Sequence, residues 1–381
     1  MMSPRENLLE TLRCGRPEWV PVCLHLFPNE NPTEGIPEEL RDVIGSSSGN
    51  LARAILGVGE YLGARDHLLP VSSPAGLVSD TCSTGTERVG TRALLTTLST
   101  PKGDLRQVTE TREGYPGMVT ERYVKTADDA AKLAEYFASL RVEVSPDALA
   151  RARNLRSLMG DRGILFCRGP GTPLGMCYRI YSDIVNLIYL IADAPATMGD
   201  LFASMEEKYI QLHEALLRAA PEIDLVLGMD DTSTTLISPR MFDVFNVALT
   251  NRRADLCHAH GRMYMHHSCG LLRNLLPVYR KTRIDGVDAY TPPPIGDVGH
   301  AEGRKLLGPR YSMISGLASG LPSVREDAVR RHVAERFEDA RAAGNVVFLV
   351  GGAELSFPAM ELVFAAALGR SRSSRPGPGG E

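Results

Sequence analysis

His267 and Cys269 stand two residues apart, just beyond the short apolar run Met263–Met265. On an extended backbone, positions i and i+2 project to one face, so an imidazole and a thiol point together past the strand end. Nitrogen and sulfur are donors that zinc accepts. The same pair also fits a core histidine bonded to backbone beside a cysteine packing as a small hydrophobe. Comparable places hold other reactive groups. Asp230 and Asp231 follow Leu225–Met229, Arg168 follows Gly163–Cys167, Tyr290 ends Val287–Tyr290, and Glu354 lies just past Val346–Val350. Trp19–Phe27 alternates, with Val20, Val22, Leu24 and Leu26 on one face and Cys23, His25 and Phe27 on the other, which puts His25 beside a pocket or in the core. Either aspartate suits proton transfer, substrate binding or a hydrogen bond that orients His267; a helix N-cap is the competing reading. Arg168 suits a carboxylate or phosphate, and Tyr290 a pocket wall or simple packing.

The elements that must position these residues alternate regularly from Ile164 onward. Apolar strands are expected at Gly163–Cys167, Leu225–Met229, Tyr264–His267, Val287–Tyr290, Tyr311–Ile314 and Val346–Val350. Helices are expected near Asp183–Ala192, Pro195–Ala220, Pro239–Leu249, Leu271–Thr282, Arg304–Leu307, Ser323–Ala343 and Pro358–Leu368. Before them come a helix at Glu6–Arg13, the Trp19–Phe27 strand, a loop at Asn29–Gly49 and a helix at Leu51–Leu62. Strand–helix alternation without a nucleotide-binding glycine fingerprint points to a closed (β/α)8 barrel, whose active site lies at the C-terminal strand ends. The reactive residues above would then share one mouth. One stretch, about residues 85–126, differs. Arg92–Ser99 and Asp104–Arg112 flank the turn Thr100-Pro101-Lys102-Gly103 and read as a β-hairpin excursion. Thr126 with Asp129 caps a following helix through Ala130–Leu140. The chain divides into one barrel domain, 1–368, and a Ser/Arg/Pro/Gly tail, 369–381, expected to be disordered.

A formal net charge of -4 supplies no basic field for nucleic acid or an anionic membrane. No apolar run is long enough to span a bilayer, and the charged start lacks a signal-peptide core. Seven scattered cysteines favour a reducing, cytoplasmic setting.

His267-Ser268-Cys269-Gly270, followed by Gly286-Val287-Asp288, resembles the H-x-C-G … G-V-D passage of the uroporphyrinogen decarboxylase superfamily. It is most similar to the branch of zinc-dependent, corrinoid-linked methyltransferases. Further pieces match in order: Arg16-Pro17 with Val20-Pro21-Val22, Thr100–Leu105, Lys125–Asp129, Gly169-Pro170 with Thr172, Asp230-Asp231 with Ile237-Ser238-Pro239, and Ile314-Ser315-Gly316. The likeness spans about residues 5–368.

The resemblance implies a (β/α)8 barrel with a deep pocket, a small-molecule substrate and a homodimer. It also implies zinc held by the His and Cys of the motif with a third cysteine near the C-terminus, where the metal turns an incoming thiol into a thiolate that accepts a methyl group. His267 and Cys269 match the first two ligands. The third is absent: the expected Gly-Cys segment reads Val350-Gly351-Gly352-Ala353-Glu354, and Cys269 is the last cysteine. Glu354 is the candidate replacement, with His266 also close. The methyl donor would be a small methylated compound or a corrinoid, carried by a corrinoid protein. The decarboxylase branch uses an Arg-rich segment to grip many carboxylates, and Leu24–Asn29 has no arginine there. Two alternatives stay open: a metal-independent decarboxylase or lyase on a small acid, with Asp230 or Asp231 and His267 moving protons, and a non-catalytic corrinoid or tetrapyrrole binder.

Overall fold

The computed structural model describes residues 1–26, 34–45, 47–112, 115–321, 323–351 and 355–371. Eight strands build the central sheet: β1 (Val22–Leu24), β2 (His67–Val71), β3 (Gly163–Pro170), β4 (Leu225–Met229), β5 (Met263–His267), β6 (Gly286–Tyr290), β7 (Ser312–Gly316) and β8 (Val346–Val350). Parallel pairing runs from β2 through β8 in chain order, and β8 returns to β1. Across the remaining seam β1 and β2 lie side by side. The (β/α)8 barrel expected from the alternation is therefore the architecture. Strands such as Leu225–Met229 and Val346–Val350 are apolar along their whole length because helices cover one face and the barrel interior covers the other.

Two apolar layers follow from the strand period of two. Outward residues, among them Val22, Val226, Tyr264 and Phe348, join the helices in the larger core. Inward residues, among them Cys23, Leu68, Phe166, Leu227, Met265 and Val347, fill the barrel. Leu8 and Leu12 belong to this inner set. They come from the helix Pro4–Leu12, started by a Ser3/Glu6 capping box, which closes the end of the barrel opposite the mouth.

The excursion is larger than a hairpin. Ala93–Thr100 and Gly103–Arg112 pair as anticipated, and Ser83–Val89 and Tyr115–Glu121 extend them to a four-stranded antiparallel sheet. Leu98 and Leu105 bury one end of it against Ala127–Ser139, the helix capped by Thr126 and Asp129.

Several boundaries differ from expectation. Leu271–Thr282 is helical only over Leu276–Tyr279, because the Asp297 carboxylate accepts the Leu272 and Arg273 amides at 2.8 and 3.0 Å and holds the start of the segment in a loop. The expected strand Trp19–Phe27 is extended only over Val22–Leu24, and Phe27 lies outside the described residues. Within the expected loop 29–49, Glu38–Gly45 is helical, and 29–33 and 46 lie outside the described residues. Phe357–Ser371 carries the last helix past Leu368; residues 372–381 of the expected tail lie outside the described residues. Among the described residues no single helix is long and apolar enough to cross a membrane.

Candidate functional site

Continuing the inward series of each strand by one step generates the mouth of the barrel. Past Cys23 comes His25, past Phe166 comes Arg168, past Met265 comes His267, past Gly286 comes Asp288, and past Met229 comes Asp231. Register brings them to one level: Met229 pairs with His267, and His267 with Asp288. Cys269 follows on the loop, exposed. Gly351 follows β8 at φ 139°, where a Cβ would run into the His25 carbonyl, so only glycine permits this approach.

His267 is held at both ring nitrogens. Asp288 Oδ2 lies 2.6 Å from Nδ1, and Asp231 Oδ1 lies 3.1 Å from Nε2. Burial alone would push the imidazolium down, but bonds to Asp231, Asp288 and Cys269 outweigh it and raise His267 to about 11. Asp231 adopts φ +50°, a left-handed conformation that costs a non-glycine residue and that clusters at functional positions. Its other oxygen pairs with Arg179, which also donates to the Met229 carbonyl at 2.6 Å. Arg179 comes from the π-helical turn Cys177–Tyr181. Burial raises the Asp231 carboxyl, yet His267 and Arg179 prevail and keep it below its ordinary value.

The candidates divide on inspection. Ligand atoms of Asp231, His267 and Cys269 all lie within 4.8 Å of one another, a nitrogen, an oxygen and a sulfur gathered at one spot. His25 and Arg168 border the group. His25 is pushed down to about 4 by burial and by the Arg168 charge, with Asp288 acting in the opposite sense. Arg168 is exposed, lies 5.4 Å over the Phe166 ring, and has no ion pair among the described residues. Asp230 and His266 face the wall instead. Both are fully buried and bonded to each other. Tyr290 is turned away too: β6 is irregular past Val287, Ala289 sits at φ 59°, and the reversed parity sends the phenol outward to the Gly299 carbonyl at 3.0 Å, stacked on His300. Glu354 lies outside the described residues.

Sequence reading overlooked two participants. Asp288 was visible only as the end of Gly286-Val287-Asp288, and the inward parity of Gly286 is the signal that finds it. Arg179 carried no signal, since a π-helical turn cannot be read from spacing.

Chemically, the Asp231/His267/Cys269 set fits zinc, which takes carboxylate, imidazole and thiolate donors. Asp288 stands where a carboxylate fixes the tautomer of a metal-bound histidine, leaving Nε2 for the metal.

No protein-family model matches the chain, and no curated protein matches it in sequence. Solved structures do. A methyltransferase from Methanosarcina mazei superposes with a TM-score of 0.59 at 16% identity, covering 97% of this chain and 99% of that one. A putative vitamin-B12 independent methionine synthase from Listeria monocytogenes gives a TM-score of 0.42 at 12% identity, covering 91% and 98%. At these identities the first likeness establishes a shared fold over the full length.

Proposed function

We propose that this chain is a methyltransferase of the uroporphyrinogen decarboxylase superfamily. In this reading it moves a methyl group from a small methylated compound or corrinoid to a thiol-type acceptor, at a metal held by Asp231, His267 and Cys269. The observation that carries the reading is the gathering of those three donor atoms within 4.8 Å at the barrel mouth. The sequence motif and the fold shared with the Methanosarcina mazei methyltransferase support it. Asp231 takes the role for which Glu354 was the sequence candidate.

A bound zinc ion supplies the positive charge that makes a thiol ionise at neutral pH. The protein's own groups do the rest. Asp288 keeps His267 oriented through Nδ1, and Arg179 holds Asp231 by the oxygen turned away from His267. The exposed Arg168 guanidinium offers two parallel donors to an anionic group on the small substrate. His25, pushed down to about 4, is a neutral hydrogen-bonding group beside it.

A second reading draws on the same geometry without metal. An imidazolium raised to about 11 and held between two carboxylates is a positioned proton donor, suited to a carbanion left by decarboxylation of a small acid anchored on Arg168. Metal analysis with activity decides between the two. The first reading expects one zinc per chain, lost in His267→Ala and in Cys269→Ala, and chelator-sensitive methyl transfer. Absence of bound zinc, with chelator-insensitive release of carbon dioxide from a small acid, removes the first reading and establishes the second.

A further inference from the structure

Each member of the donor set has a chain neighbour that points the opposite way. Asp231, His267 and Cys269 face the mouth, whereas Asp230, His266 and Ser268 are wholly buried in the wall behind it. One phenol joins the buried three. Asp230 bonds to His266 Nε2, His266 Nδ1 lies 2.7 Å from the Tyr279 hydroxyl, and that hydroxyl meets Ser268 Oγ. With the His266 proton assigned to Nε2, the donors run in one direction: Ser268 donates to Tyr279, Tyr279 to Nδ1, and Nε2–H to Asp230. The second Asp230 oxygen accepts the Thr172 amide at 2.8 Å and the Thr172 hydroxyl at 2.6 Å. Asp230 is thus buried with both of its oxygens bonded inside the wall.

The two layers are also tied directly. The Ser268 amide donates to the Asp288 carbonyl at 2.9 Å, and the Asp288 side chain holds His267. Tyr178 donates to the Asp230 carbonyl, while the adjacent Arg179 grips Asp231. From this doubling we propose that Asp230, His266, Ser268 and Tyr279 are positioning residues. Their buried chain of hydrogen bonds sets the spacing of Asp231, His267 and Cys269 for a divalent cation. The inference rests on the metal reading of that site. Its physical basis is the main chain that each pair shares: fixing one side chain fixes the backbone that aims its neighbour, to the opposite face within β5 at His266 and His267 and by the short continuation of the chain at the other two pairs. A fully satisfied network in a low-dielectric wall resists rearrangement, and the partners that orient ligands are worth roughly tenfold to a hundredfold in metal affinity.

Tyr279→Phe deletes the joining hydroxyl and keeps the ring; Ser268→Ala is a milder cut of the same chain should the first variant fold poorly. His300→Gln is the matched control, because His300 is equally buried and bridges Asp339 and Ser315 elsewhere in the wall. Zinc dissociation constants from chelator competition are expected to weaken about tenfold to a hundredfold in Tyr279→Phe. His300→Gln should lower the thermal midpoint and leave the zinc constant unchanged. Amide hydrogen exchange of residues 263–270 in the metal-free protein gives a reading that needs no zinc, expected to quicken about tenfold in Tyr279→Phe alone. An unchanged zinc constant in both network variants, or an equal loss in His300→Gln, overturns the proposal. Should the unmodified chain bind no zinc, the metal reading falls separately, and unchanged exchange in Tyr279→Phe then overturns the network as well.

Discussion

His267 carries its proton under unusual conditions, and that proton is the handle for testing the site. The ordinary imidazole titrates near 6.5, and bonds to Asp231, Asp288 and Cys269 raise this one to about 11 against the pull of burial. The folded-state value lies above the unfolded one. The metal-free protein therefore has the full benefit of the imidazolium below about pH 6.5 and loses it as pH climbs through about 11. Replacing His267 by Gln should flatten that decline in thermal midpoint between the two limits. A cation occupying Nε2 must first expel the proton, and the Cys269 thiol must shed its own to serve as a ligand, so zinc binding near neutral pH should release a proton from each of the two. Calorimetry in buffers of different ionisation enthalpy reads this directly, and a binding enthalpy independent of buffer would contradict it. The choice of Asp231 over its neighbour was not legible in Asp230-Asp231: parity puts one residue on each face, but which face holds the cation depends on the register with His267 and Asp288.

Elements explain what could be read in the sequence and what could not. Leu225–Met229 and Val346–Val350 were recognisable to the residue because each is a continuous apolar run between breakers, as a strand covered on both sides requires. His67–Val71 escaped notice, since it opens on a histidine and contains Pro70, which resembles a loop. Tyr290 misled for a related reason: strict alternation aims it inward, and one residue at φ 59° reverses the sense. The helix Pro4–Leu12 was readable as amphipathic, but not its destination under the barrel. Because Leu8 is fully buried in the inner layer, Leu8→Ala should destabilise by about 2–5 kcal/mol, the usual range for a leucine removed from a core. Urea titration measures it. Zinc stoichiometry should be unaffected, because the plug lies at the end opposite the ligands.

On the scale of the whole molecule, the barrel and its helices are joined by more than apolar packing. Arg253, with no exposed side-chain surface, pairs with Glu206 and donates to the Pro170 carbonyl at 3.0 Å. Gly169 and Gly228, opposite each other in β3 and β4, leave room beside this pair for His213 and Tyr264. Arg253→Met strands a buried carboxylate and should cost about 3–5 kcal/mol in urea unfolding, whereas Arg253→Met combined with Glu206→Leu should recover most of it. A double variant no better than the single one would show that the arginine acts through packing alone. The fold class was legible because many short units repeat the same alternation; the polar wall was not, because its members come from distant helices.

The helix that stoppers the barrel has one more effect. With Leu8 and Leu12 corking the lower end and apolar side chains filling the interior, the barrel is no tunnel, and among the described residues His267 is reached from the rim rather than from below. Traffic that cannot pass straight through must take turns on one side: a spent molecule has to leave His267 before a fresh one of its kind takes its place, and two different reactants must either sit there together or queue.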